Sequence, residues 1–122
     1  MTKIFVYGTL KKGYHNHYLL SEAEFLQEKV LSGFKLYYAY GKNSFPVAML
    51  SNDGQSIVGE VYKISENDKN TIINLDRLEA NGLAYQRILV DDTWLYVGIS
   101  KFWDVDSLFE CPKQNNIYVW NR

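Results

Sequence analysis

The chain has 122 residues and a mass of 14.2 kDa, and dividing it into two domains would leave each half too small for a good core. Its 47% apolar and 22% charged residues exclude a disordered tail. A net charge of −1 provides no extended basic surface, which argues against a nucleic-acid partner. We therefore expect a single folded domain over residues 1–122.

The cysteine content and the N-terminal sequence bear on the cellular compartment. Cys111 is the single cysteine, so no internal disulfide can form. The apolar run after Lys3 is too short for a signal peptide, and no apolar run in the chain approaches the length of a membrane span. These features predict a cytoplasmic protein that has no membrane partner, and a monomer is favoured.

The first half of the chain predicts mainly strands. Lys3 to Tyr7 is rich in strand-forming residues and ends at Gly8-Thr9, which indicates a buried strand running into a turn. Four further elements are expected before residue 65: a short helix over Tyr14–Leu20, one or two strands over Phe25–Tyr40 broken at Gly33, a strand over Phe45–Leu50, and a strand over Ile57–Ile64.

The second half begins with the helix that the sequence indicates most clearly. Ser65 is a suitable N-cap with acidic residues after it, so a helix is predicted from about Glu66 until Asn81-Gly82 stops it. The expected strands after it are Tyr85–Val90 and Trp94–Gly98, joined through Asp91-Asp92, and Ile117–Trp120. The fold class is therefore α+β, with a curled sheet that closes into a small mixed β-barrel flanked by helices.

One carboxylate of the predicted helix stands in an unusual place. At 100° per residue, Ile72, Ile73, Leu75 and Leu78 form an apolar stripe, and Glu79 projects roughly 20° from its centre. A buried glutamate costs several kcal/mol unless it is paired or protonated, and function is one reason to keep it. Alternatively the helix ends by Leu78 and Glu79 extends into solvent. Asp76 also lies near the stripe, where an ion pair with Arg77 or Arg87 is expected.

The turn that follows the first strand is a candidate anion site. In Tyr7-Gly8-Thr9-Leu10 a strand ends at a glycine, and successive backbone N–H groups can point into a common space that holds an anion or an oxyanion. An ordinary strand-end turn is the alternative. His15 and His17 are the only histidines, so a metal site would lack ligands and none is expected.

Three segments together resemble the gamma-glutamylcyclotransferase-like superfamily, in its gamma-glutamylamine cyclotransferase and AIG2-like branch. They are FVYGTLKKG from Phe5, VGEVYKI from Val58 and LDRLEANGLAYQR from Leu75. Their order and separations fit that family over most of the chain. The chain departs from the family's motif at Ala80, where glycine is usual.

The resemblance implies an enzyme that closes a γ-glutamyl group into 5-oxoproline and releases the attached amine. It assigns the catalytic carboxylate to Glu79 and substrate binding to Tyr7, Gly8, Thr9, Leu10 and Tyr85. The partner would be a small γ-glutamyl compound, and no metal, nucleotide or redox cofactor is required. The alternative is a module that keeps the same fold and pocket but binds a small molecule or a protein without turnover.

Overall fold

The computed structural model describes residues 2–39 and 45–120 of the chain. Strands dominate these residues, with one α-helix, α1, over Thr71–Leu78, and 3₁₀ helices over His17–Leu20 and Val105–Ser107. The strands are β1 Thr2–Val6, β2 Glu24–Ser32, β3 Phe34–Tyr38, β4 Pro46–Leu50, β5 Ser56–Ile64, β6 Tyr85–Val90, β7 Thr93–Gly98, β8 Phe109–Glu110, β9 Lys113–Gln114 and β10 Ile117–Tyr118.

The strands of the described residues form one large mixed sheet and one small sheet. The large sheet has the order β6-β7-β1-β5-β10-β9, and β2 pairs with the other edge of β5. Strand β1 is antiparallel to β5 and parallel to β7. The small sheet has the order β4-β3-β8. Strand β1 therefore runs through the middle of the large sheet.

Both faces of strand β1 are buried, and each contributes to a different hydrophobic core. Phe5 and Tyr7 pack in the core that faces the small sheet, which supplies Leu36 among others. Ile4 and Val6 belong to a second core on the opposite face, which includes Leu75 of α1 and Leu20 of the first 3₁₀ helix. A strand that is covered on both faces lacks polar alternation, which explains the nearly continuous apolar sequence of this segment.

The α+β class is confirmed, but the predicted closure into a barrel is wrong. Within the described residues, β6 pairs with β7 alone and β2 with β5 alone, so no ladder joins these two edges of the large sheet. After β2 the chain turns at Gly33, whose φ of +96° suits glycine, and continues into the small sheet. Strands β3 and β4 therefore belong to the separate sheet rather than extending the large one.

The predicted strands agree with the structure apart from their ends. The strand predicted to end at Trp120 already ends at Tyr118, and residue 40, the end of another predicted range, lies outside the described residues. Asp91 and Asp92 form a two-residue hairpin loop with φ values of +53° and +81°, as a type I′ turn requires.

The helix begins later than predicted. Ser65 does not cap a helix, because its Oγ accepts from the Asn67 N–H and its carbonyl accepts from the Asp68 N–H within a turn. Asp68 in turn accepts from the N–H groups of Asn70 and Thr71, and α1 starts only at Thr71. Short polar side chains that bond to the nearby backbone compete with helix formation in this way. No helix in the described part of the chain is long and apolar enough to cross a membrane.

The end of α1 adopts a Schellman motif with alanine in the position that favours glycine. The Asn81 N–H donates to the Asp76 carbonyl at 2.9 Å and the Ala80 N–H to the Arg77 carbonyl at 3.3 Å. Ala80 has a φ of +47°, in the left-handed region. This pattern of bonds requires such a conformation after the helix, and a Cβ atom makes it unfavourable.

We expect Ala80→Gly to raise the free energy of unfolding by about 0.5–1 kcal/mol, because relief of the left-handed strain exceeds the entropy that glycine adds to the unfolded chain. Urea denaturation of the two proteins measures the difference. Ala84→Gly is the matched control, since Ala84 is buried and is not a positive-φ residue, and it should lower the stability. Equal losses in both variants would contradict the assignment of strain to Ala80.

Candidate active site

A cleft of about 800 Å³ opens where strand β1 and helix α1 both end. The start of β4 and the segments before and after β6-β7 form its other walls. Aromatic side chains contribute much of its surface. The described residues that line it are Phe5, Val6, Tyr7, Gly8, Thr9, Leu10, Tyr14, His15, Asn16, Phe45, Pro46, Leu78, Glu79, Ala80, Ala84, Tyr85, Tyr96, Phe102, Trp103 and Trp120.

Gly8 lets the end of β1 lie directly against the start of β4. A Cβ atom at this position would be 2.3 Å from Cγ and 2.8 Å from Cδ of Pro46, which is too close for carbon atoms that are not bonded to each other. Any side chain at position 8 would therefore push the two segments apart. Since both segments line the cleft, the absence of a side chain at Gly8 allows these two walls of the cleft to lie close together.

The segment from Tyr7 to Leu10 forms a turn that hydrogen bonds to its carbonyl groups hold in place. The Gly8 carbonyl accepts from the Lys11 N–H at 3.0 Å, and the Thr9 carbonyl accepts from the Asn16 N–H at 3.1 Å. The Asn16 side chain also donates to the Thr9 hydroxyl at 2.9 Å. No hydrogen bond joins the N–H groups of Gly8, Thr9 or Leu10 to another described residue. The loop is therefore held in place through its carbonyl groups, while its backbone N–H groups can still donate to a ligand.

Glu79 occupies the C-cap position of α1 and lines the same cleft as this loop. Its N–H donates to the Leu75 carbonyl at 2.9 Å, so the residue still follows the helix. The side chain is partly buried, and burial raises the pKa of its carboxyl to about 7. A carboxyl group with this pKa is present in both protonation states near neutral pH, as an acid–base catalyst requires.

The apolar stripe predicted for the helix is only partly formed. Leu75 is fully buried, but Ile73 is half-exposed and Leu78 lies at the cleft with 42% of its surface exposed. Ile73 therefore does not belong to the buried face. Leu78 is exposed because it borders the open cleft rather than the core.

Two tyrosines use their hydroxyl groups to hold the wall of the cleft. Tyr7 donates to the Tyr96 carbonyl at 2.7 Å and accepts from the Ala48 N–H at 3.2 Å. Tyr85 donates to the Pro46 carbonyl at 3.0 Å. Burial raises the pKa of both hydroxyl groups, and the nearby charge of Glu79 adds to the effect. Both hydroxyl protons are thus engaged with the backbone, and both phenols stay neutral.

A polar network supports the last turn of α1. Arg87 Nε donates to Asp76 Oδ1 at 3.0 Å and Arg87 Nη2 to Asp76 Oδ2 at 3.3 Å, a two-point contact. The Tyr96 hydroxyl donates to the same carboxylate at 2.6 Å. Of the two arginines expected to pair with Asp76, Arg87 is the partner. Asp76 precedes Glu79 by three residues, so this network fixes the turn that carries Glu79.

The structure brings together all of the residues singled out in the sequence as site residues: Tyr7, Gly8, Thr9, Leu10, Glu79 and Tyr85. His15 is exposed and also borders the cleft. His17 turns away, and its Nδ1 contacts the Leu10 carbonyl. No three His, Cys, Asp or Glu side chains within residues 2–39 and 45–120 form a metal-binding group.

No position-specific pattern in the sequence indicates the residues that form the other walls of the cleft. Tyr96, Trp103 and Trp120 come from three separate segments that converge only in the folded chain. The Trp120 carbonyl accepts from Lys11 Nζ at 2.8 Å and from the Tyr14 hydroxyl at 3.1 Å, which holds the C-terminal segment against the cleft. The high aromatic content, 16%, was the available indication, and it serves the cleft as well as the core.

We expect the carboxyl carbon of Glu79 to titrate near pH 7 in a 13C NMR experiment, well above a solvated glutamate, because burial penalises its charge. The raised pKa means that folding favours the protonated carboxyl, so ionising this group in the folded protein costs stability. Wild-type protein should therefore lose stability relative to Glu79→Gln as the pH rises from about 4 to 8, by about 2–3 kcal/mol. A stability difference that is constant over this range would show that Glu79 is solvated.

The amino-acid sequence is similar to those of known proteins. The family model described as gamma-glutamyl cyclotransferase, AIG2-like, matches residues 4–121. A putative gamma-glutamylcyclotransferase of Methanocaldococcus jannaschii is 33% identical over 106 residues, which cover 79% of this chain and 83% of that protein. A gamma-L-glutamyl-butirosin B gamma-glutamyl cyclotransferase of Niallia circulans is 37% identical over 79 residues, covering 65% of this chain and 46% of that protein.

The fold is also similar to that of a solved structure from this group of proteins. The crystal structure of an AIG2-like protein from Mus musculus superposes with a TM-score of 0.67 and 25% identity, covering 94% of this chain and 98% of that one. The family match spans the segments that form the cleft, from β1 to Trp120. The chain therefore belongs to the gamma-glutamyl cyclotransferase, AIG2-like, family.

Proposed function

We propose that this protein is a cyclotransferase that converts a γ-glutamyl amine or γ-glutamyl amino acid into 5-oxoproline and a free amine. The observation that carries the proposal is the placement of the Glu79 carboxyl and the Tyr7–Leu10 loop in one cleft. Membership of the family supports it, and so does the Niallia relative, whose name describes a γ-glutamyl cyclotransferase.

The reaction needs little from the protein because the substrate contains both reacting groups. The α-nitrogen of the glutamyl group attacks its own γ-carbonyl carbon, a C–N bond forms, and the C–N bond to the attached amine breaks. No water is consumed. Ring closure over five atoms supplies proximity, so the protein must fix the substrate conformation, move protons and stabilise the tetrahedral oxyanion.

Glu79 is assigned the proton transfers. Its carboxylate accepts the proton that the α-ammonium must lose before it can attack. The resulting carboxylic acid then donates a proton to the departing nitrogen, which cannot leave as an amide anion. Tyr7 and Tyr85 are unsuited to this role, since their hydroxyl protons are bound to backbone carbonyls. Among the described residues that line the cleft, Glu79 is the carboxylate.

The backbone of Gly8, Thr9 and Leu10 is assigned the negative groups of the substrate. Its N–H groups make no hydrogen bond to another described residue, although the turn that carries them is held by Lys11 and Asn16. Such fixed donors suit either the oxyanion of the intermediate or the α-carboxylate of the glutamyl group. The side chain of Thr9 is already engaged with Asn16, so the contact to the substrate is a backbone contact.

Binding without turnover is the alternative function, and the departure from the family's motif at Ala80 is the sequence feature that favours it. The alanine adopts the left-handed conformation that glycine would adopt, and the helix still ends at Glu79. The substitution therefore leaves the carboxylate in place. A purely binding protein would retain a γ-glutamyl ligand without releasing 5-oxoproline, which an incubation with a panel of γ-glutamyl amines and dipeptides distinguishes.

Glu79→Gln should lower turnover by roughly 10²- to 10⁴-fold, because glutamine keeps the size of the side chain but cannot accept and return a proton. The measurement is the release of 5-oxoproline with a substrate identified by the panel. Glu22→Gln is the matched control, since it makes the same chemical change at an exposed position and should retain wild-type activity. Wild-type turnover by Glu79→Gln would remove this carboxylate from the mechanism.

The pH profile provides a separate test. Because the base must be ionised to accept the first proton, kcat/KM should fall below about pH 7, by tenfold per pH unit, as the Glu79 carboxyl becomes protonated. The raised pKa sets the pH at which activity is lost, since a solvated glutamate would keep the enzyme active to about pH 4.3. The residual activity of Glu79→Gln should lack this acid limb. An acid limb retained in the variant would assign the titration to another group.

A further inference from the structure

The mouth of the cleft carries large apolar side chains that are exposed to solvent. Phe102 exposes 51% of its surface, Leu78 42% and Phe45 36%, and all three line the cleft that contains Glu79. By contrast Tyr7 and Tyr85, which line the same cleft, expose 7% and 5%. An apolar mouth above a polar floor is unfavourable in water unless a ligand covers it.

The aromatic rings at this mouth are held in a fixed arrangement around Trp103. The Trp103 ring makes edge contacts with Phe102 at 5.1 Å, Phe45 at 5.5 Å and Tyr85 at 5.7 Å between ring centroids. Its Nε1 donates to the Ala84 carbonyl at 2.7 Å, so the ring cannot rotate freely. A rigid aromatic cluster binds a flat apolar group with little loss of side-chain entropy.

Tyr85 connects this cluster to the proposed reaction centre. Its ring contacts Trp103, and Tyr85 lines the same cleft as Glu79. Because Glu79 and Trp103 line the same cleft, a substrate with its scissile nitrogen at Glu79 can place the group on that nitrogen against Trp103. The cluster itself includes no charged side chain.

We propose that Phe45, Phe102 and Trp103 form a leaving-group subsite that selects γ-glutamyl derivatives of aromatic amines. The proposal rests on the proposed cyclotransferase function and adds the chemical class of the released amine. Burial of a phenyl group in the subsite supplies binding energy that a short alkyl amine lacks. That energy would raise kcat/KM by about 10- to 100-fold.

The test compares γ-glutamyl-phenethylamide with γ-glutamyl-ethylamide, which differ only in the phenyl group. Release of 5-oxoproline gives kcat/KM for each compound, and the wild-type protein should prefer the phenethylamide at least tenfold. Equal values for the two compounds would overturn the subsite and leave the cyclotransferase function intact. Release of 5-oxoproline from neither compound nor any member of the wider γ-glutamyl panel would overturn the function and the subsite together.

The variant Phe102→Ala tests whether the preference for the phenethylamide arises at this subsite. Its half-exposed ring can be removed with little effect on folding, and the ratio of the two kcat/KM values should fall at least fivefold. Phe102→Leu, which keeps apolar surface, should retain part of the ratio. The matched control is Leu89→Ala, an equally exposed residue on β6 that does not line the cleft, and it should retain the wild-type ratio. An unchanged ratio in Phe102→Ala would refute the assignment.

Discussion

The constraint on which the rest of the structure depends is the burial of strand β1 on both faces. Ile4 and Val6 pack against one core, and Phe5 and Tyr7 pack against the other. A strand enclosed in this way ends inside the protein rather than at its surface, so the turn after it needs room between the two layers. That room is the cleft, and Gly8 permits it because a side chain there would collide with Pro46.

Tyrosine hydroxyl groups convert this space into a site with a defined shape. Tyr7 bridges β4 and β7 by bonding to their backbones, and Tyr85 bonds to the start of β4. Each buried hydroxyl satisfies a backbone group that would otherwise be unpaired at the edge of the cleft. Glu79 lines the same cleft as these tyrosines, and its own burial raises the pKa of its carboxyl.

The end of helix α1 shows how stability and placement of the carboxylate are balanced. The network of Asp76, Arg87 and Tyr96 holds the last turn, and the left-handed residue Ala80 ends it immediately after Glu79. A longer helix would carry the chain past the cleft and alter the direction of the side chain. The strain at Ala80 therefore accompanies a termination that the position of Glu79 requires.

The sequence by itself determined the strand segments and the α+β class, because these depend on local periodicity and on residue types close in the chain. It left open whether Glu79 faces the protein or the solvent, and the structure has it partly buried at the cleft. It misplaced the start of the helix at Ser65, since competition between side-chain and helical hydrogen bonds is decided residue by residue. Only the tertiary structure decided whether the sheet closes and which aromatic residues converge on the cleft. Trp103 and Gly8 meet the same space from distant segments, and no local pattern encodes such pairings.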